Sequence, residues 1–166
     1  HLFFAHVRAA TGTPIARQNC HPFRHGKWLF MHNGQIGGYA TVRRALEARL
    51  PDALYAARKG AADSELLFLL ALARIEQHGA SVHEAMRATL DETMALMRAQ
   101  GIAEPLRFSA ALTDGRRLHI FRWASDDAPP TLYVKQTERG TIVASEPLAG
   151  GDDGWRTLKS GEMLTL

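Results

Sequence analysis

The spacing of apolar residues changes character twice along this chain, from short solid runs, to helical repeats, to alternation. Residues 2–7 form the first run, closed by the turn cluster Thr11-Gly12-Thr13-Pro14. A run of this length bounded by turn formers predicts a buried strand entering a loop, with Arg8 at its end. Residues 17–26, interrupted by Asn19, Pro22 and Gly26, are expected to be irregular. Lys27-Trp28-Leu29-Phe30-Met31-His32 is too rich in large apolar side chains for a surface loop and predicts a second buried strand, broken sharply by Asn33-Gly34.

From residue 39 the period becomes helical. Val42, Leu46 and Leu50 mark a short amphipathic helix over 39–50 that Pro51 ends. Asp63-Ser64-Glu65 opens a helix apolar on most faces, through Leu66, Leu67, Leu69, Leu70, Leu72 and Ile75, with Gly79 as its stop. Such a helix must pack on two sides. Ser81 and Glu84 have capping-box spacing ahead of a third helix, 82–100, whose inner stripe is Met86, Leu90, Met94 and Met97. After Pro105 the pattern alternates, giving strand candidates at 108–112, 118–123, 131–134, 141–144 and 163–166, separated by turn residues such as Asp114-Gly115 and Arg139-Gly140. Strands, then helices, then strands, without βαβ alternation, predict an α+β layered domain whose second half is an antiparallel meander.

Composition narrows the class. A chain of 166 residues suits a single domain spanning 1–166, and a hydrophobic fraction of 46% can furnish its core. The formal charge of +3 is dispersed, with no basic block of the kind that follows nucleic acid, so no nucleic-acid partner is expected. Cys20 is the sole cysteine, which excludes an internal disulfide and points to a reducing, cytoplasmic setting. The longest apolar stretch, 66–73, is far short of the ~20 residues of a membrane span.

Several residues can carry chemistry. Asn33-Gly34 at a strand end can offer an amide and a backbone N–H to one point, as an oxyanion hole does, or can simply form a tight turn. Arg8 can present its planar fork to a carboxylate or be a surface charge. Asp63 at the mouth of an apolar helix can be an N-cap, an ammonium ligand, or both. Arg8 and Asp63 together can clamp the two charged ends of an α-amino acid whose side chain reaches Asn33-Gly34. His6, His21, His25 and His32 crowd one region, but no carboxylate or cysteine lies at a familiar ligand spacing, so no metal and no cofactor is expected. Cys20 reads as a small buried hydrophobe rather than a nucleophile. A phosphate cradle over residues 28–39 is weakened by the lack of a recognised glycine spacing.

Read in order, Ala5-His6-Val7-Arg8-Ala9-Ala10-Thr11, Asn19-Cys20-His21-Pro22-Phe23, His32-Asn33-Gly34-Gln35-Ile36 and Asp63-Ser64-Glu65 closely resemble the ordered motifs of class II glutamine amidotransferases. The likeness is densest over residues 2–70 and looks closest to the stand-alone type. It implies the N-terminal nucleophile hydrolase fold, a four-layer αββα sandwich of two facing antiparallel sheets between helices. It also implies cleavage of glutamine to glutamate and ammonia through a γ-glutamyl thioester. By position, Arg8 resembles the family's carboxylate-binding arginine with Thr11 beside it, Asp63 the acid that receives the substrate ammonium, and Asn33 with Gly34 the oxyanion hole.

The family's nucleophile is an N-terminal cysteine activated by its own α-amino group. His1 cannot take that role, so the chain is expected to lack an N-terminal segment and to be inactive as it stands, whereas the intact parent protein would hydrolyse glutamine or a γ-glutamyl amide. The expected partner is this small-molecule substrate, and the chain is compatible with a homodimer or an ammonia-accepting partner. A module that binds γ-glutamyl compounds without cleaving them is the alternative from another class.

Overall fold

Alternation along a few central strands divides the core in two. The computed structural model describes residues 2–7, 16–148 and 154–166. In strand β2 (Trp28–Gln35), Trp28, Phe30 and His32 are buried on one face, while Met31 packs with the second core cluster on the other. β2 lies between the short β1 (Phe23–His25) and β3 (Arg107–Thr113). Beyond β3 come β4 (Leu118–Ala124) and, at the far edge, β8 (Met163–Thr165), all pairs antiparallel. A second antiparallel sheet has β5 (Tyr133–Thr137) between β6 (Gly140–Ala144) and β7 (Trp155–Thr157). Edge strands of three residues at both ends of the larger sheet leave little unpaired backbone as a template for another chain.

Helices α1 (Tyr39–Glu47), α2 (Asp52–Ala57), α3 (Asp63–His78) and α4 (Val82–Ala99) all contribute to the core on one face of the larger sheet. The central one is α3. Its residues from Ser64 to Ala73 are buried throughout, because it meets β2 on one side and α1, α2 and α4 on the others. Phe68 stacks on Phe30 with the rings nearly parallel at 5.3 Å, and Phe30 in turn faces Phe108. On the other face of the sheet, Ala111 and Ile120 meet Leu132, Val134 and Leu158 of the smaller sheet's side. The layers described are therefore helices, five-stranded sheet and three-stranded sheet. This is the α+β, two-sheet arrangement expected; every helix described belongs to the first helical layer of the αββα scheme.

The three long helices follow the apolar periodicity, and the capping box at Ser81 and Glu84 closes reciprocally. Four expectations are corrected. Residues 2–7 form no strand: Phe3 is 86% and Val7 98% exposed, since an apolar run expresses a preference for burial but brings no pairing partner with it. β2 is not broken at Asn33-Gly34. Its register with β3 runs unbroken from Leu29 opposite Thr113 to Gln35 opposite Arg107, because a partner strand of matching length stabilises residues that alone would turn. The segment 17–26 contains a 3-10 turn and β1, and 155–157 forms β7, both too short to show a period. Finally, the continuous meander is two sheets, since β8 returns to β4 rather than joining β5 to β7.

Truncating the centre of the aromatic stack should be costly. Phe30→Ala, at a fully buried position, is expected to lower unfolding free energy by about 3–5 kcal/mol in denaturant titrations. Ser81→Ala at the exposed cap should lose only about 1 kcal/mol.

Candidate active site

One carboxylate joins the helical layer to the sheet. Asp63 is the first residue of α3, and its Oδ2 accepts the backbone N–H of Ile36, just past the end of β2, at 3.0 Å. Its Oδ1 accepts Ser64 N–H at 2.8 Å. The N-cap is therefore Ala62, not Asp63: the carboxylate serves the first turn from inside it and also holds the strand end. A negative charge here is favoured by the helix dipole and the free N–H groups of the first turn. Asp63 is thereby bonded to a residue two positions past the Asn33-Gly34 pair, both of which are exposed at the end of β2.

Gly34 is required by backbone crowding. Its φ is +144°, and a Cβ built on it would lie 1.9 Å from the Arg107 carbonyl oxygen and 2.7 Å from His32 Nε2. Neither obstacle is a flexible side-chain end, because His32 is itself buried and held at both ring nitrogens. Its Nδ1 lies 2.9 Å from Ser64 Oγ and its Nε2 3.3 Å from Arg107 O. A carbonyl can only accept, so Nε2 carries the proton and Nδ1 receives the Ser64 hydroxyl proton. Burial among Phe30 and Phe108 holds the imidazole pKa below 6.5, against the opposing pull of Asp63 and with a smaller contribution from His6 in the same direction as burial.

The loop leading into Asp63 is braced from both sides. Glu65, buried in the first turn of α3, accepts Lys59 N–H at 2.9 Å and Gly60 N–H at 2.7 Å. Asn19 Oδ1, from the 3-10 turn, accepts Ala61 N–H at 2.9 Å. A Cβ on Gly60 would sit 2.4 Å from that oxygen, so only glycine lets the loop come this close. Behind the loop, Arg58 reaches Glu47 and the Tyr39 hydroxyl, and burial pushes the Tyr39 pKa up to about 12. Across the sheet, Asn33 stands opposite Ser109, and Ser109 opposite Arg122. Ser109 Oγ donates to Pro130 O at 2.7 Å, and Arg122 donates to the carbonyls of Pro129, Pro130 and Leu158.

Of the residues expected in the site, Asn33 and Gly34 lie at the end of β2 and Asp63 is bonded to Ile36 just past it. Arg8 and Thr11 lie outside the described residues. Cys20 is exposed, contrary to its expected burial, with Sγ turned to Ala16 O at 3.5 Å; the turn that buries Asn19 leaves the next side chain outside. Among the described residues no group of three or more His, Cys, Asp or Glu side chains could hold a metal, and no helix is long and apolar enough to cross a membrane. A groove of about 380 Å³ at the other end of β2, lined in part by Trp28, Arg116, Arg117 and His119, includes none of the site residues. Sequence reasoning assigned no role to Asn19, Ser64 or Glu65 and weighed His32 only as a metal ligand. The available signal was a polar residue set within or beside an apolar run that the fold must bury.

Comparisons with known proteins give the chain's family. A family model described as class II glutamine amidotransferases matches residues 1–132. A probable glutamine amidotransferase of Saccharomyces cerevisiae, DUG3, is 27% identical over 99% of this chain and 57% of its own length. A putative glutamine amidotransferase of Escherichia coli, YafJ, is 26% identical over 95% of this chain and 66% of its own. The chain thus spans between half and two thirds of these curated relatives. Among solved structures, a class II glutamine aminotransferase domain protein from Silicibacter pomeroyi superposes with a TM-score of 0.80 at 41% identity, covering 88% of this chain and 66% of that one. The glutamine phosphoribosylpyrophosphate amidotransferase of Bacillus subtilis shares the fold, with a TM-score of 0.63 at 20% identity over 96% of this chain and 31% of its own.

Two outcomes follow from the site's packing. Gly34→Ala must displace β3 or His32 and is expected to cost at least about 3 kcal/mol in unfolding free energy, with loss of the Gly34 and Ile36 amide positions in NMR spectra. Because the folded state holds His32 neutral, its contribution to stability is fully present above the unfolded value of 6.5 and is lost as pH falls below it. Denaturation midpoints measured from pH 8 to pH 5 (about the range of histidine titration) should fall on the acid side, and less steeply in His32→Gln.

Proposed function

The chain belongs to the class II glutamine amidotransferases, and from that membership we propose that the whole protein hydrolyses the amide of glutamine or of a small γ-glutamyl compound. The observation that supports this reading is the bond from Ile36 N–H to Asp63 Oδ2, which holds a carboxylate beside the strand end bearing Asn33 and Gly34. In this reading Arg8, with Thr11 beside it, receives the substrate carboxylate, and Asp63 receives the ammonium. The side chain of the ligand then extends along the end of β2 toward the Asn33 amide and Gly34 N–H.

The chemistry that fits this arrangement is acyl transfer to a thiol, the thiol being an N-terminal cysteine of the mature protein, as the family resemblance implies. The sulfur attacks the amide carbon, and the carbonyl oxygen becomes an anion met by Asn33 and Gly34. The C–N bond breaks, ammonia leaves with the proton it takes up, and a γ-glutamyl thioester remains. Water then cleaves the thioester, releasing glutamate and restoring the thiol. Two preorganised donors suit such an oxyanion because they need no reorientation as the charge develops. Asn33 is exposed, as a group awaiting a ligand must be, while the residues beneath it are buried and bonded.

The roles separate in kinetics of glutamate release by the intact protein. Asn33→Ala should lower kcat by about 100- to 1000-fold with little change in KM. Asp63→Asn, whose Oδ1 can still accept Ile36 N–H, should raise KM for glutamine by about 10- to 100-fold through loss of the charged partner. A wild-type KM in Asp63→Asn would defeat the clamp assignment, and glutamine binding without glutamate release would make the protein a binding module.

A further inference from the structure

Ser64 stands between two groups that each can claim its single hydroxyl proton. Its Oγ is 2.9 Å from His32 Nδ1 and 3.3 Å from Asp63 Oδ1. The Nε2 contact with the Arg107 carbonyl fixes the neutral ring as the Nε2–H tautomer, so Nδ1 takes the hydroxyl proton and Oδ1 does without it. If the imidazole gains a proton, Nδ1 becomes a donor. Ser64 Oγ then accepts from Nδ1, and its own proton is free to turn onto Asp63 Oδ1. Asp63, already bonded to Ile36 N–H and Ser64 N–H, would gain a third donor with a cation behind it.

We propose that Ser64 transmits the protonation state of His32 to Asp63, so that an imidazolium at His32 and a ligand ammonium at Asp63 compete for the same carboxylate. This inference rests on the reading of Asp63 as the ammonium ligand. It makes His32 and Ser64 positioning residues that act through Asp63, and it makes capture of the amino-acid head weaken as the medium becomes acidic. Among the described residues, the groups facing His32 are few. Asp63 lies at the start of α3, His6 approaches from the N-terminal segment, and β3 supplies the Arg107 carbonyl, the Arg107 guanidinium being paired with Asp126. The aromatic neighbours Phe30 and Phe108 do not titrate. Binding linkage is reciprocal, so an ammonium bound at Asp63 must disfavour the proton on His32 by the same factor.

The test is an NMR titration of the His32 ring nitrogens in the intact protein, with L-glutamate or with glutarate, which lacks the amino group. Neither ligand carries an amide to be consumed. L-Glutamate should displace the His32 titration to lower pH by about 0.7 units or more, corresponding to at least about fivefold coupling, and glutarate should not. Ser64→Ala should shrink the displacement, and Ser64→Thr, which keeps a hydroxyl, should restore it. A ligand-free Nδ1–H tautomer, or a full displacement surviving in Ser64→Ala, would overturn the proposal. If L-glutamate moves the Gly34 and Ile36 amide signals while His32 titrates unchanged, the relay fails and the clamp stands. If neither ligand moves those amides, the clamp reading itself fails, and the relay with it.

Discussion

The site depends on the hydrogen bond between Asp63 and the Ile36 amide. A helix start and a strand end are both places where backbone donors lack regular partners, and one carboxylate satisfies donors of both kinds. The consequence is geometric. A side chain from the helical layer and two donors from the sheet are held in register by three covalent steps along the chain and one bond across it. Were α3 to shift along the sheet by a turn, about 5.4 Å, Asp63 would lose the Ile36 amide and its place beside the end of β2.

That joint is kept in place by burial on one side and by backbone capture on the other. The stack of Phe68 on Phe30 and Phe108 fixes the height of α3 above β2. The two N–H groups accepted by Glu65, with Asn19 behind them, fix the path by which the chain reaches Asp63. A carboxylate as buried as Glu65 is tolerated because each oxygen has an N–H partner; removing it would leave those donors facing apolar surroundings. Asp63 and Glu65 thus lie within three residues, one bonded to the end of the sheet strand and the other to the loop.

Much of this was legible in the sequence where a signal repeats. The helices at 39, 63 and 82 announced themselves through apolar spacing and, for α4, through the Ser81 and Glu84 box. The central strands were legible through clusters such as Phe108 to Leu112. What could not be read was anything set by a distant partner. Asn33-Gly34 resembles a turn locally, and β3 keeps it extended. β1 and β7 are only three residues long and owe their conformation to neighbours. Within the motifs, Asn33 and Gly34 are exposed and Asp63 is half-buried, and all three stand out in the sequence by residue type and position. His32, Ser64, Glu65 and Asn19 face inward, and their duties appeared only when the N–H groups of residues 59, 60 and 61 and the accepting carbonyl of Arg107 came within reach.

The grip of Arg122 on three main-chain carbonyls has a consequence for how the molecule opens. Among the described residues the smaller sheet contributes few buried side chains, among them Val134, with Leu132 and Leu158 flanking its strands, while the five-stranded sheet shares its core with four helices. The guanidinium bridging to Pro129, Pro130 and Leu158 ties β4 to the segments entering β5 and leaving β7. Transient detachment of β5 to β7 should occur far more often than global unfolding, so the amides of Val134 and Val143 exchange with solvent deuterium well before those of Phe30 and Phe108.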